Sequence, residues 1–262
     1  MNPSRVYVND DLDAICKNVQ NAMDRVGSDV KMMAVIKTDG YGHGAVPIAK
    51  ALDKIGVYAY AIATIDEAVE LRDAGVENPL LILGHVFEND LKTALECDVT
   101  LTVFAKENAI TISKVAADMG KTVKVHIKLD TGMGRLGFLP SEESAKEIEE
   151  IFALPNIEVE GVFSHFATAD ESDKTFAYEQ AKKYGDFVEL LESRGMKFAI
   201  KHLCNSAGII DLSEIKYNMV RSGIMTYGLY PSEEVVKDNV KLYPALSLVS
   251  HIAFVKEVDS GF

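Results

Sequence analysis

From residue 31 to residue 220, short apolar runs alternate with longer stretches in which apolar residues recur every three or four positions. The apolar runs predict strands at 31–36, 58–63, 80–83, 99–104, 123–129, 157–163, 198–203 and 217–220. The stretches between them predict helices with legible ends. "TIDEAVELRDAG" (64–75) opens on a threonine cap, turns Ile65, Ala68, Val69 and Leu71 to one face, and stops at Gly75. "AKENAITISKVAADMG" and "DKTFAYEQAKKYGDFVELLESRG" also stop on glycine. Repeated strand–helix units build parallel sheets, and eight of them predict an α/β fold closed as a (β/α)8 TIM barrel, with a doubly wound open sheet as the alternative. Composition shifts near "YPSEEVVKDNVKLYP" (230–244), after which "ALSLVSHIAFVKEVDSGF" alternates as a strand rather than as another such unit. The expected division is a barrel domain at 1–232 and, at 233–262, a linker with the first strand of a truncated C-terminal β domain.

Composition narrows the classes of partner. A net charge of -13, with lysines interleaved among Asp and Glu, disfavours nucleic acid and anionic membrane surfaces and leaves a small molecule as the expected partner. Hydrophobic residues make up 48% of the chain, but no apolar run is long enough to span a bilayer, and "MNPSRVYVNDDLD" has no signal-peptide core. A cytoplasmic location is expected. Cys16, Cys97 and Cys204 are scattered, with no C-x-x-C pair, so neither a disulfide framework nor a zinc site is indicated. No carboxylate and histidine set has metal-ligand spacing.

In a barrel of this class, chemistry collects just beyond the C-terminal ends of the strands. The first predicted strand runs through "AVIKTDGYGHGA" to Lys37 and Tyr41, an odd place for a lysine unless something compensates it. The fifth leads into "LDTGMGRLGF" with Arg135, the sixth into "FSHFATAD" with His165, the seventh into "CNSAG" with Asn205 and Ser206, and the eighth into "VRSGIMTYGL" with Arg221, Gly223 and Ile224. The connections after strands seven and eight are the recurrent phosphate site of such barrels, and a serine hydroxyl with a close-approach glycine suits it. A phosphate there and an amine at strand one fit pyridoxal 5'-phosphate, whose aldehyde a lysine captures. "GMGRLG" (132–137) matches a dinucleotide-binding pattern, but Ser141 reads as the following helix cap, so no helix opens on those glycines to receive a pyrophosphate.

Taken together and in order, these five motifs resemble the bacterial alanine racemases over nearly the whole chain. The resemblance implies an isomerase that interconverts L- and D-alanine by two-base proton abstraction at Cα, supplying D-alanine for peptidoglycan. It implies that Lys37 carries the Schiff base, that Tyr41, Ser206 and the backbone of Gly223 and Ile224 hold the phosphate, and that Asn205 belongs to the same cofactor site. Arg135 would meet the phenolic oxygen and the substrate, Arg221 the pyridine nitrogen, and His165 would buttress Arg221. Lys128, near Arg135, would be open to carbamylation by carbon dioxide. The second base would be a tyrosine of the β-rich domain, supplied by the partner subunit of a homodimer, so residues 1–262 alone are expected to bind cofactor and turn over negligibly. The family more often has alanine where this chain has Thr38 and Gly40; both are small, and the loop is expected to form.

Other readings stay open at this stage. One is a single-domain pyridoxal phosphate carrier without turnover, which the "YGHG" loop and the terminal strand disfavour. Another is a racemase of serine or a similar small amino acid. A third is an aldolase-type barrel in which Lys37 binds substrate directly, which leaves Arg221 without a role. His126 and Lys128 alternate with Val125, Ile127 and Leu129 and face either the barrel interior or solvent. His43, His85, His202 and His251 read as hydrogen-bonded structural residues.

Overall fold

The computed structural model describes residues 5–262. Strand β1 (Val6–Asp10) comes first, and a helix over Leu12–Val26 leads from it into β2 (Lys31–Val35), β3 (Ala59–Ile62), β4 (Leu80–Ile82) and β5 (Val99–Val103). There follow β6 (Val123–Lys128), β7 (Ile157–Phe163), β8 (Ile200–His202), β9 (Met219–Ser222) and finally β10 (Leu246–Ser250). Strands β2 to β9 pair in chain order, all parallel, and β9 returns to β2 with Lys31 opposite Met219 and Ala34 opposite Ser222. This is the closed barrel that eight strand–helix units predict. Among the described residues no helix is long and apolar enough to cross a membrane.

Alternation along the strands builds two cores. Residues such as Ile62, Leu80, Val125 and Ile127 point outward and pack under the helices in one large apolar cluster. Met33, Val35, Ala59, Ala61, Leu81, Ile200 and Met219 form a second cluster in the barrel interior. On the β6–β9 side the interior is polar instead: His126, Lys128, His202 and Arg221 are all buried. The open question about His126 and Lys128 is thus settled in favour of the interior.

Local signals set the helix ends as expected. Thr64 and Glu67 form a capping box at the start of Ile65–Asp73, and the Ser141 hydroxyl accepts from Ser144 N at 3.1 Å to start Glu142–Phe152. The eighth barrel strand lies two residues later than predicted. Tyr217 adopts φ 50°, and the Asn218 side chain accepts from Lys201 N at 2.7 Å, so extended pairing starts at Met219 and Arg221 lies within the strand rather than after it.

The ends of the described chain meet outside the barrel. β1, which the apolar pattern did not predict, pairs antiparallel with β10, Val6 opposite Ser250 and Asp10 opposite Leu246. The predicted strand over 245–262 is regular only where β1 supplies a partner. Val235, Val240, Leu242 and Ala245 are buried in the outer core. Asn18 binds the Thr226 and Tyr243 carbonyls at 3.2 and 2.8 Å and accepts from Tyr243 N at 2.7 Å, tying that segment to the barrel. The first four residues of the expected 1–232 domain lie outside the described residues.

Candidate active site

β2 runs out at Val35, and the chain turns left-handed directly after Lys37: Thr38, Asp39, Gly40 and Tyr41 have φ of 56°, 50°, 61° and 54°. Such a turn costs about 1–2 kcal/mol for each residue with a Cβ, so it persists only where its surroundings impose it. Here Gly40 N donates to Ile36 O at 2.8 Å, Asp39 Oδ1 accepts from Ala45 N at 2.8 Å, and Glu67 Oε1 accepts from Thr38 N. The loop forms with Thr38 and Gly40 in place. It leaves the Lys37 amine 5.9 Å from the Tyr41 ring and turns that ring against Tyr227, 5.0 Å between centroids.

The loop after β6 is organised by one carboxylate. Asp130 accepts from Gly132 N, Gly134 N and Arg135 N at 3.0, 3.1 and 3.0 Å. Burial works against its charge, yet these three donors and Lys128 hold its carboxyl below the usual range. Gly137, at φ 130°, closes the loop, because a Cβ there would lie 2.6 Å from Asp130 N. The glycines of "GMGRLG" therefore wrap Asp130 and present Arg135; the next helix starts at Glu142, as the rejection of a dinucleotide site requires.

The loops after β8 and β9 meet at Ser206. Its hydroxyl oxygen accepts from Gly223 N at 3.0 Å and Met225 N at 3.3 Å, which leaves its own hydrogen to point elsewhere. A Cβ on Gly223 would sit 3.4 Å from Ser206 Oγ and 3.9 Å from the Tyr41 hydroxyl, so the glycine keeps a cradle open between the two. Asn205 caps the short helix Ser206–Asp211 by accepting from Gly208 N at 3.1 Å, committing its carboxamide oxygen to the loop.

Arg221 forms the floor. It is 2% exposed and donates to Ser164 O, Leu203 O and His202 Nδ1 at 2.8, 3.0 and 2.6 Å, with His165 Nδ1 at 3.3 Å. Burial lowers its pKa to about 10, so it stays charged at neutral pH. Burial first, then the charge of Arg221, pushes His165 down to about 2, so its ring is neutral and accepts from the guanidinium. Lys128 is pushed down to about 7 by burial, then by Arg221 and Arg135.

Every one of these side chains lines a single cavity of about 530 Å³: Lys37, Tyr41, Lys128, Arg135, His165, Asn205, Ser206, Arg221, Gly223 and Ile224. Two supports lie behind the candidate residues, one of them outside the sequence reading. His202 is the hydrogen-bonded structural residue that the sequence reading expects, on β8 next to the strand of Arg221. Gln180, fully buried on the helix Thr175–Ser193, accepts from Ala167 N at 2.9 Å and donates to His165 O at 3.1 Å, holding the loop after β7. A helical glutamine gives no pattern that would have singled it out. The cavity wall carries Lys37, Lys128, Arg135 and Arg221 against one carboxylate, Asp170, so it favours an anionic occupant within an acidic protein.

Comparison with known proteins shows the family. Residues 11–231 match the family described as alanine racemase, N-terminal domain. The chain is 46% identical over 254 residues to an alanine racemase of Clostridium perfringens, covering 97% of this chain and 66% of that protein, and 46% identical to one of Methanococcus maripaludis, covering 98% and 69%. It thus spans about two thirds of the length of these relatives. Among solved structures, alanine racemase of Clostridium difficile 630 superposes with a TM-score of 0.95 at 41% identity over 98% of this chain and 71% of that one. Alanine racemase of Bacillus anthracis with bound L-Ala-P superposes with a TM-score of 0.88 at 38% identity over 99% and 69%. The chain belongs to the alanine racemase family, its residues 11–231 corresponding to that family's N-terminal domain.

Proposed function

We propose that this chain holds pyridoxal 5'-phosphate and serves in the interconversion of L- and D-alanine. The observation that carries the reading is the spacing of three chemistries in one cavity: an amine at Lys37, a hydroxyl and glycine cradle at Tyr41, Ser206 and Gly223, and a buried guanidinium at Arg221. The residues fit the group. Ser206 has a hydroxyl hydrogen free for a phosphate oxygen, Gly223 leaves the room, and Arg135 suits the phenolic oxygen or a substrate carboxylate. Alanine as substrate is supported by the names of the relatives and by the L-Ala-P held in the Bacillus anthracis structure.

When bound, pyridoxal phosphate withdraws electrons from the Cα of an attached amino acid and so loosens its proton. Lys37 would hold the group by its amine, and that same amine would be the base on its own face of the substrate Cα. Arg221 would face the pyridine nitrogen as a donor that keeps its own proton, because a guanidinium is too weak an acid to give it up. An unprotonated ring would be the weaker electron sink, which suits proton exchange alone. His165 and Gln180 keep the guanidinium and its loop in place. Lys128, with a pKa near neutrality, is proposed to take up carbon dioxide as a carbamate, turning a repulsion with Arg135 into an attraction.

The reading extends to a homodimer in the cytoplasm supplying D-alanine to the cell wall. The free thiols of Cys16, Cys97 and Cys204 suit a reducing compartment. The test is borohydride reduction in the presence of pyridoxal phosphate, followed by peptide mapping. A single adduct on Lys37 is expected; an adduct on another lysine, or none, would refute the assignment.

A further inference from the structure

Arg221 is a buried cation whose hydrogen-bond partners are all neutral: two carbonyls and two imidazoles. A buried charge needs a counter-charge or pays heavily in lost solvation. The route to one runs downward, away from the cavity. His202 Nε2 lies 2.9 Å from His126 Nδ1, and His126 Nε2 lies 3.3 Å from the Glu160 carboxylate, whose other oxygen accepts from Lys124 Nζ at 2.8 Å. Both imidazoles are 2% exposed or less, whereas Glu160 lies at a small cleft on the opposite mouth of the barrel, beside Met33 and Tyr58.

The direction of this chain is fixed from both ends. Arg221 can only donate, so His202 Nδ1 accepts and His202 carries its proton on Nε2. That proton goes to His126 Nδ1, so His126 also carries its proton on Nε2 and gives it to a carboxylate that can only accept. Every link therefore points the same way, from the guanidinium to Glu160.

Two local features make room for it. β6 and β7 pair Val125 with Val159 but His126 with Gly161, so Glu160 is the extra residue of a β-bulge. The extra residue seats Glu160 and Gly161 together beside His126, where strict alternation would allow only one of them. Gly161 then lies under the imidazole: a Cβ there would stand 2.8 Å from His126 Nε2.

We infer that Glu160 is a positioning residue for Arg221, supplying its counter-charge through His126 and His202 from the far side of the barrel. The importance of Arg221 to the cofactor rests on the function proposed above; the hydrogen-bond chain does not. Polarisation passes along such chains by roughly 10–30% per bond, so Glu160 strengthens the hold of His202 on the guanidinium without touching either.

The first measurement is nitrogen NMR of the histidine rings in the cofactor-free protein. Both His126 and His202 are expected neutral with the proton on Nε2; either ring doubly protonated or protonated on Nδ1 would overturn the inference without any variant. The second uses Glu160→Gln, whose amide oxygen can still accept from His126 but carries no charge. It is expected to shift the His202 ring resonances, although it does not touch that ring, and to slow α-proton exchange of alanine in the loaded protein on the order of tenfold, with the Lys37 adduct still forming. Unmoved His202 resonances would overturn it. Lys124→Met removes only the exposed ion pair and is expected to leave His202 and exchange unchanged; the same losses as Glu160→Gln would assign the effect to general disturbance and sink the relay. If wild-type protein forms no reducible adduct on Lys37, the proposed function fails, and the ring tautomers still judge the relay.

Discussion

Lys128 shows most plainly what one residue costs and offers. Its amine donates to Leu129 O at 3.1 Å and lies 4.9 Å from the Phe163 ring centre, with Arg221 and Arg135 near enough to repel it. Burial, then those two guanidinium groups, lower its pKa from 10.5 to about 7. The folded state therefore binds fewer protons than the unfolded chain between about pH 7 and pH 10.5, and stability rises with pH across that window. Below about pH 7 both states are protonated and the whole penalty is present; above 10.5 neither is and it vanishes. Lys128→Met, measured by urea unfolding in carbon-dioxide-free buffer, is expected to be more stable than wild type at pH 6, by a margin that shrinks steadily toward pH 10. A margin independent of pH would mean that the amine is not the source. The neutral fraction near pH 7 is also the nucleophile that carbon dioxide needs, so ¹³C-bicarbonate is expected to give a carbamate signal in wild type that Lys128→Met lacks.

At the scale of elements, the loop between β6 and the helix Glu142–Phe152 depends on its glycines more than on any side chain. Gly137→Ala would place a methyl 2.6 Å from both Asp130 N and Leu129 C, backbone atoms that cannot swing aside, in a conformation that an L-residue rarely takes. We expect a loss of stability of about 2–3 kcal/mol, read by urea unfolding, with weaker pyridoxal phosphate binding because Arg135 loses its frame. A loss under about 0.5 kcal/mol, the scale of a surface change, would show that the loop has another way to close. The same region explains what could be read from the sequence. Strand–helix alternation made the barrel legible because its strands are largely buried and several helices carry their own caps, as at Thr64 and Ser141. Lys37, Arg135 and His165 were legible because barrel chemistry follows strand ends. β1 was not, since "VYVND" is half-exposed and acquires strand geometry only from β10, far along the chain. Nor was the bulge that seats Glu160 and Gly161 together beside His126: it arises from the register between two strands, which neither strand encodes alone.

For the molecule as a whole, the decisive question is how many faces of a substrate carbon the cavity can serve. Racemisation requires a proton to leave one face and another to arrive on the opposite one, so it needs two proton-exchange groups that face each other. Among the described residues lining the cavity, Lys37 is the amine at the mouth of β2. The others are placed for different work. Tyr41 lies against Tyr227 with its hydroxyl beside the Gly223 cradle, His165 is held by Arg221, and Lys128 is bound below to Leu129 O. On the function proposed above, the second group comes from chain outside this lining. Protein comprising residues 1–262, loaded with pyridoxal phosphate in deuterated water, is therefore expected to exchange the α-proton of one alanine enantiomer while inverting it at least about a hundredfold more slowly, a gap of roughly 2.8 kcal/mol in barrier. Proton NMR follows the exchange, and optical rotation follows the inversion. Equal rates of exchange and inversion from both enantiomers would show that a second base already lies in this cavity, and Tyr41 would then be the first residue to replace.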